Sequence, residues 1–127
     1  MPLVRISLRG GTTPAFRKSV GDSVHRALVE TIKVPEADKF QLLTEHDAEG
    51  LVYDPGYLGI ARSDGVLFIQ ITLNAGRTVE ARQALFKGIA ERLAADPGVR
   101  PEDVFVSLIE VQKENWSFGN GIAQYAT

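Results

Sequence analysis

Hydrophobic and polar positions alternate from Leu3 to Arg9, which predicts a half-buried β-strand. Gly10-Gly11 ends it, and Thr13-Pro14 supplies an N-cap and a first-turn proline for a helix. Phe16, Val20, Val24, Ala27, Leu28 and Ile32 then recur at helical spacing as one buried stripe, until Pro35 halts the pattern. Phe40 to Thr44 predicts a second strand, parallel to the first because a helix crosses between them. The polar run Glu45 to Gly50 and the Asp54-Pro55-Gly56 turn signal lie on either side of Leu51-Val52-Tyr53, with Tyr57 to Ile60 beyond. This stretch predicts a small hairpin or lobe. Val66 to Leu73 is nearly continuous in apolar residues and suits the centre of a sheet. After the turn Asn74 to Arg77, Thr78 caps a second helix whose stripe is Leu85, Ile89 and Leu93. Asp96-Pro97-Gly98 stops it, and Val104 to Val111 forms the last strand.

The two halves match when the chain is shifted by 65 residues. Ile6 then falls on Ile71, Leu8 on Leu73, Gly11 on Gly76, Thr13 on Thr78, Arg17 on Arg82, Asp38 on Asp103 and Phe40 on Phe105, with no gap. The fold expected is α+β: duplicated β-α-β units forming a four-stranded mixed sheet with two helices on one face. One domain spans 1–127, with repeat halves 2–45 and 66–111, a connecting hairpin region 46–65 and a C-terminal segment 112–127. The second sheet face then needs a cover, which points to oligomerisation.

Composition narrows the function. The chain is 44% hydrophobic and 24% charged, ordinary globular values, with a net charge of −2 and no basic cluster for nucleic acid. No run of 18 apolar residues suits a membrane span, and the N-terminus lacks a signal-peptide pattern; a cytoplasmic location is the expectation. The absence of cysteine removes disulfides, thiolate nucleophiles and cysteine-based metal sites.

Two positions break the internal repeat: Pro2 falls on Leu67, and Thr12 falls on Arg77. A proline at position 2 commonly survives removal of the initiator methionine, leaving a secondary amine anchored by the strand that follows. Such an amine can titrate near neutrality and act as acid or base. Arg77 stands just before a helix cap, where it is either an exposed surface arginine or, with neighbouring backbone N–H groups, a grip for a carboxylate. Asp38 is either a solvated loop acid or a counter-charge for the amine. In the second case an ion pair roughly 4 Å apart is worth about 4 kcal/mol at an effective dielectric of about 20. Burial opposes that by a comparable amount, so the working charge state of Pro2 stays open.

Trp116, Phe118 and Tyr125 belong to a C-terminal stretch in which aromatics alternate with glycines, suited to a pocket wall or a subunit contact. His25 reads as a packed or surface histidine on the first helix. His46 between Glu45 and Asp47 lacks metal-ligand spacing, so no metal site is expected. The Gly10–Thr13 turn lacks a P-loop lysine, and no Gly-x-Ser-x-Gly elbow occurs.

Taken in order, Pro2, the doubled βαβ unit, Pro35-Glu36-Ala37-Asp38-Lys39-Phe40-Gln41, Asn74-Ala75-Gly76-Arg77-Thr78 and Trp116-Ser117-Phe118-Gly119 resemble the tautomerase superfamily. Within it they are most similar to the malonate semialdehyde decarboxylase group, and the resemblance covers essentially the whole chain. It implies a homotrimer, no cofactor, and a small-molecule oxo-acid substrate. Pro2 would be the catalytic proline, Asp38 the acid that tunes it or orients water, and Arg77 the carboxylate ligand. Trp116, Phe118 and Tyr125 would form an apolar wall. Some members of the group carry a second arginine two residues before the one matching Arg77; here Ala75 stands there. That departure leaves decarboxylation open and weakens a dehalogenase reading. The expected function is a decarboxylase of malonate semialdehyde with side tautomerase activity. The alternatives are a keto-enol tautomerase of a phenylpyruvate-like acid and, from another class, a non-catalytic trimeric binding protein.

Overall fold

A computed structural model describes residues 1–126 of the chain. Strand β1 (Leu3–Arg9) leads into helix α1 (Pro14–Ile32) and strand β2 (Gln41–His46). After a connecting segment come β3 (Leu67–Asn74), α2 (Val79–Ala95) and β4 (Val104–Val111). The sheet order is β2-β1-β3-β4. β1 runs parallel to β2 and β3 parallel to β4, while the central pair β1/β3 is antiparallel, with Ile6 opposite Ile69. The mixed sheet of two βαβ units expected from the sequence is the one observed.

The capping chemistry works as read. The Thr13 hydroxyl accepts a hydrogen bond from the Phe16 N–H at 3.1 Å, and Thr78 accepts one from Ala81 at 3.1 Å. α1 terminates where Lys33 takes a left-handed conformation (φ 61°) and donates its N–H to the Leu28 carbonyl. α2 ends at Asp96.

Val4, Ile6 and Leu8 of β1 and Leu67, Ile69, Ile71 and Leu73 of β3 point to one face. There they meet Val20, Val24, Ala27 and Leu28 of α1 and Leu85, Ile89 and Leu93 of α2, all fully buried or nearly so. Burying one side chain such as Leu28 is worth about 1.5–3 kcal/mol, so this shared layer holds both helices on one side of the sheet. The opposite face stays open: Leu42, Phe105 and Ile109 are exposed, and Phe68 packs edge-on against Phe105 with ring centroids 5.1 Å apart.

Local bonding repeats between halves. Arg17 pairs with Glu45 at 3.2 Å and Arg82 with Glu110 at 2.6 Å. Gly10 donates to the His46 carbonyl and Ala75 to that of Val111. Gly11 (φ 95°) and Gly76 (φ 116°) supply matching positive-φ turns after the central strands.

Two expectations are corrected. No strand forms between His46 and Leu67, so of the hairpin or lobe expected in region 46–65 the hairpin does not form; the segment is an irregular excursion with a short 3-10 turn at Tyr57–Gly59. It is held by tertiary contacts: Leu51 is buried, its carbonyl accepts from Arg9, and the Arg9 guanidinium lies over the Tyr53 ring at 5.3 Å. Strand β2 also starts one residue later and runs two further than Phe40 to Thr44, because Glu45 and His46 still pair with Leu8 and Arg9.

Candidate active site

Strand β1 begins at Leu3, so the residues before it emerge at one end of the sheet. Pro2 is buried there, and the terminal amine of Met1 lies 3.8 Å from Asp38 Oδ2. The Pro2 nitrogen is three covalent bonds from that amine, hence within about 3.6 Å of it. Loss of Met1 would place the free prolyl amine in the same neighbourhood.

Asp38 stands in the short turn between α1 and β2, fixed by its own N–H to the Pro35 carbonyl (3.0 Å). It is only 7% exposed, and neither carboxylate oxygen has a hydrogen-bond partner among the described residues. A buried, unbonded carboxylate costs free energy and must be explained. Its counterpart in the second half, Asp103, is buried too, but accepts from the Ser63 N–H (2.7 Å) and hydroxyl (2.6 Å). The repeat thus keeps the acid twice and leaves it unsatisfied once, beside the chain terminus.

Electrostatics follow from that placement. Burial pushes the Asp38 carboxyl above its ordinary range, opposed by the amine and by His25. Burial likewise pulls the amine below its ordinary value; Asp38 opposes this, and Arg77 reinforces it. The amine therefore senses one acid and one guanidinium together. Burial and the Asp38 charge raise the Tyr125 phenol, which places that ring within reach of the acid's field.

Arg77 arrives from the turn between β3 and α2 and donates to the Asn74 carbonyl at 3.1 Å. Asn74 also accepts, through its side-chain oxygen, from Trp116 Nε1 at 2.7 Å. Trp116 stacks on Phe118 with centroids 5.4 Å apart, and Phe118 meets Tyr125 edge-on at 5.0 Å. The C-terminal aromatics expected from the sequence form one continuous wall, tied to the Arg77 turn through Asn74. Sequence reasoning missed that bridge, although Asn74 lies within the Asn74–Arg77 run it singled out.

The histidines divide. His25 is buried and its Nε2 lies 2.8 Å from the Glu36 carbonyl, inside the turn that carries Asp38. His46 has a buried Nε2 without a partner, and no group of His, Asp or Glu suited to a metal ion occurs among the described residues. No described helix is long and apolar enough to cross a membrane. An amine, an acid, a guanidinium and an aromatic wall are the groups that proton transfer on a small carboxylate requires.

The whole chain is similar to known proteins. Two family models described as "Tautomerase enzyme" match, one over residues 38–119 and the other over residues 2–60. The probable tautomerase YusQ of Bacillus subtilis (strain 168) is 42% identical over 98% of this chain and 98% of its own length. The probable tautomerase YrdN of the same organism is 32% identical over 100% of this chain and 98% of its own. Among solved structures, FG41 malonate semialdehyde decarboxylase inhibited by 3-bromopropiolate superposes with a TM-score of 0.92 at 41% identity, covering 98% of this chain and 94% of that one. A fused 4-OT symmetric trimer superposes at 0.79 with 28% identity, covering 98% of both chains.

Proposed function

We propose that this chain, which belongs to the tautomerase family of enzymes, decarboxylates malonate semialdehyde or a closely similar 3-oxo acid and tautomerises 2-oxo acids as a side activity. The observation that carries the reading is the buried, unbonded Asp38 carboxyl 3.8 Å from the terminal amine, with Arg77 acting on the same amine. Likeness to malonate semialdehyde decarboxylase at 41% identity over nearly the whole chain supports it.

In this reading Met1 is removed and Pro2 is the catalytic amine. Asp38 favours its protonated form, and the cation polarises the substrate aldehyde; on the alternative route the neutral amine attacks the aldehyde and water leaves, giving an iminium. Arg77 holds the carboxylate by two parallel hydrogen bonds, with the bond to be broken turned out of the carbonyl plane. When that C–C bond breaks, its electron pair moves into the polarised C=O or C=N, giving an enol or enamine and carbon dioxide. A proton then returns to carbon, and on the iminium route water adds to the C=N bond and releases the aldehyde product and the free prolyl amine. Trp116, Phe118 and Tyr125 form an apolar wall, which favours the neutral product over the carboxylate. No cofactor enters.

A second reading has its own support. Burial pulls the terminal amine down, and a neutral Pro2 is a base that moves a proton between carbon and oxygen of an enol acid. The curated relatives YusQ and YrdN are named as probable tautomerases.

The open sheet face enters the same proposal. Leu42, Phe105 and Ile109 remain exposed on one side of a sheet whose other side is fully covered. Three copies related by a threefold axis would bury them, and the fused 4-OT neighbour is a symmetric trimer. The test is turnover of malonate semialdehyde and of enol phenylpyruvate by protein whose intact mass lacks Met1, beside Pro2→Ala. Loss of both activities in the variant is expected. Equal turnover in the two proteins would overturn the role of Pro2.

A further inference from the structure

We propose that His25 is a positioning residue: its buried Nε2–H holds the Glu36 carbonyl and so fixes the turn from which Asp38 faces the N-terminal amine. The inference rests on the reading of Asp38 given above and deepens it.

His25 lies between Val24 and Arg26 on α1 and is only 6% exposed, so its ring must find polar partners. The partner at 2.8 Å is a backbone carbonyl, which only accepts. Nε2 therefore carries a proton and donates it to that oxygen. The chain after α1 is short: Val34 donates to the Leu28 carbonyl, Asp38 to Pro35 and Lys39 to Ala37, and the Phe40 carbonyl accepts from Val4. Glu36 occupies the middle of that turn. Its side chain pairs with Arg26 at 2.6 Å on the exposed surface, where such pairs contribute little. The bond from His25 is the buried tether.

Asp38 depends on that tether more than most acids would. Its oxygens make no hydrogen bonds among the described residues, so its own contacts do not fix its position. The backbone two residues from Glu36 does. The second half of the chain offers the contrast: Asp103 is held directly by Ser63, and the position matching His25 is Ala90. The tether and the unbonded acid occur together in one half and are both missing from the other.

When protonated, the His25 ring favours the Asp38 carboxylate. The charged groups around it are Asp38 and Glu36 on the turn, and Asp22, Arg26 and Lys39 along its cleft. Arg92 and Asp96 face it from α2.

The experiment uses full-length protein freed of Met1, with 15N-labelled proline and histidine. The titration midpoint of the Pro2 amine is followed by NMR, and kcat and KM are measured for decarboxylation of malonate semialdehyde. His25→Leu, His25→Gln and Asp38→Asn are compared with the native protein. Without the tether, Asp38 drifts from the amine and the amine loses its counter-charge. His25→Leu should therefore lower the amine midpoint in the same direction as Asp38→Asn, and reduce kcat about tenfold with KM within about twofold. His25→Gln keeps an N–H donor at similar reach and should recover most of both. A native midpoint and kcat in His25→Leu, while Asp38→Asn shifts both, would overturn the inference and leave the role of Asp38 standing. An unshifted midpoint in Asp38→Asn would remove the role of Asp38 itself. If His25→Leu does not fold, the native spectrum still decides: a His25 proton on Nδ1 alone contradicts the tether, and one on Nε2 supports it.

Discussion

Asp38→Asn should make the protein more stable at neutral pH while making it a worse enzyme. In the native chain a carboxylate is buried with both oxygens unbonded. Leaving a buried polar group unsatisfied costs about 1–3 kcal/mol, and more when the group is charged. The amine 3.8 Å away offsets part of this, by about 0.2–1 kcal/mol for a pair with solvent nearby. Asparagine keeps the shape and removes the charge, but its amide is still polar and unbonded there, so only the extra cost of the charge is relieved, a net gain of about 1 kcal/mol. In a chain of this length that raises the midpoint of thermal unfolding by about 3–6 °C. The pH dependence has a definite sign. Folding raises the Asp38 carboxyl above its ordinary value of 3.8, so the folded state favours the protonated acid. The native acid's contribution is full below 3.8 and is lost as pH rises through the elevated folded value. The advantage of the variant therefore opens above that window and closes towards acid. Thermal melts of both proteins at one concentration, from acid to neutral pH, measure it. A variant less stable at neutral pH, or a gain that does not change with pH, would refute the argument and make Asp38 a stabilising ion pair.

Other parts of the account have their own outcomes. Arg77→Lys keeps the charge and loses the two-pronged grip, so KM for a carboxylate substrate should rise roughly 10- to 100-fold in steady-state assays, with the melting point unchanged. Trp116→Phe keeps the stack on Phe118 and removes the bond to Asn74. A net hydrogen bond of about 1 kcal/mol then predicts a fall of about fivefold in kcat/KM. Phe105→Lys puts a charge on the open sheet face and should shift sedimentation from the proposed trimer to monomer, while the monomer keeps its helical circular dichroism.

Much of the fold is legible because its punctuation is local. Thr13-Pro14 and Thr78 start helices through side-chain caps that need no distant partner, and both do so here. Leu85, Ile89 and Leu93 share one side of α2 whatever it packs against, and all three are fully buried. The connecting segment defeated the same reasoning because Leu51 and Tyr53 are held by Arg9, from a strand about 40 residues earlier. The end of β2 was hidden by its polarity. Glu45 looks like a loop residue, yet its carboxylate takes the Thr12 N–H and hydroxyl and pairs with Arg17.

The site divides in the same way. Pro2 and Arg77 stand out as departures from the internal repeat, and resemblance to a family gave Asp38 and the aromatics their expected roles. His25 and Asn74 did not stand out, because each works through a backbone carbonyl or an amide oxygen that only the folded chain brings near. Asp38 and Asp103 are matched positions in sequence. The unsatisfied state of one and the satisfied state of the other appear only with Ser63 in place.

The central claim is that the prolyl amine, paired with Asp38 and facing Arg77, performs the chemistry. The most direct measurement is the pH dependence of malonate semialdehyde and enol phenylpyruvate turnover by Met1-free protein, with Pro2→Ala as control. The account predicts decarboxylation that holds up to an alkaline limb, where the amine loses its proton, and that disappears in Pro2→Ala. Turnover of the enol alone, rising with pH, would contradict the cationic proline and make Pro2 a base.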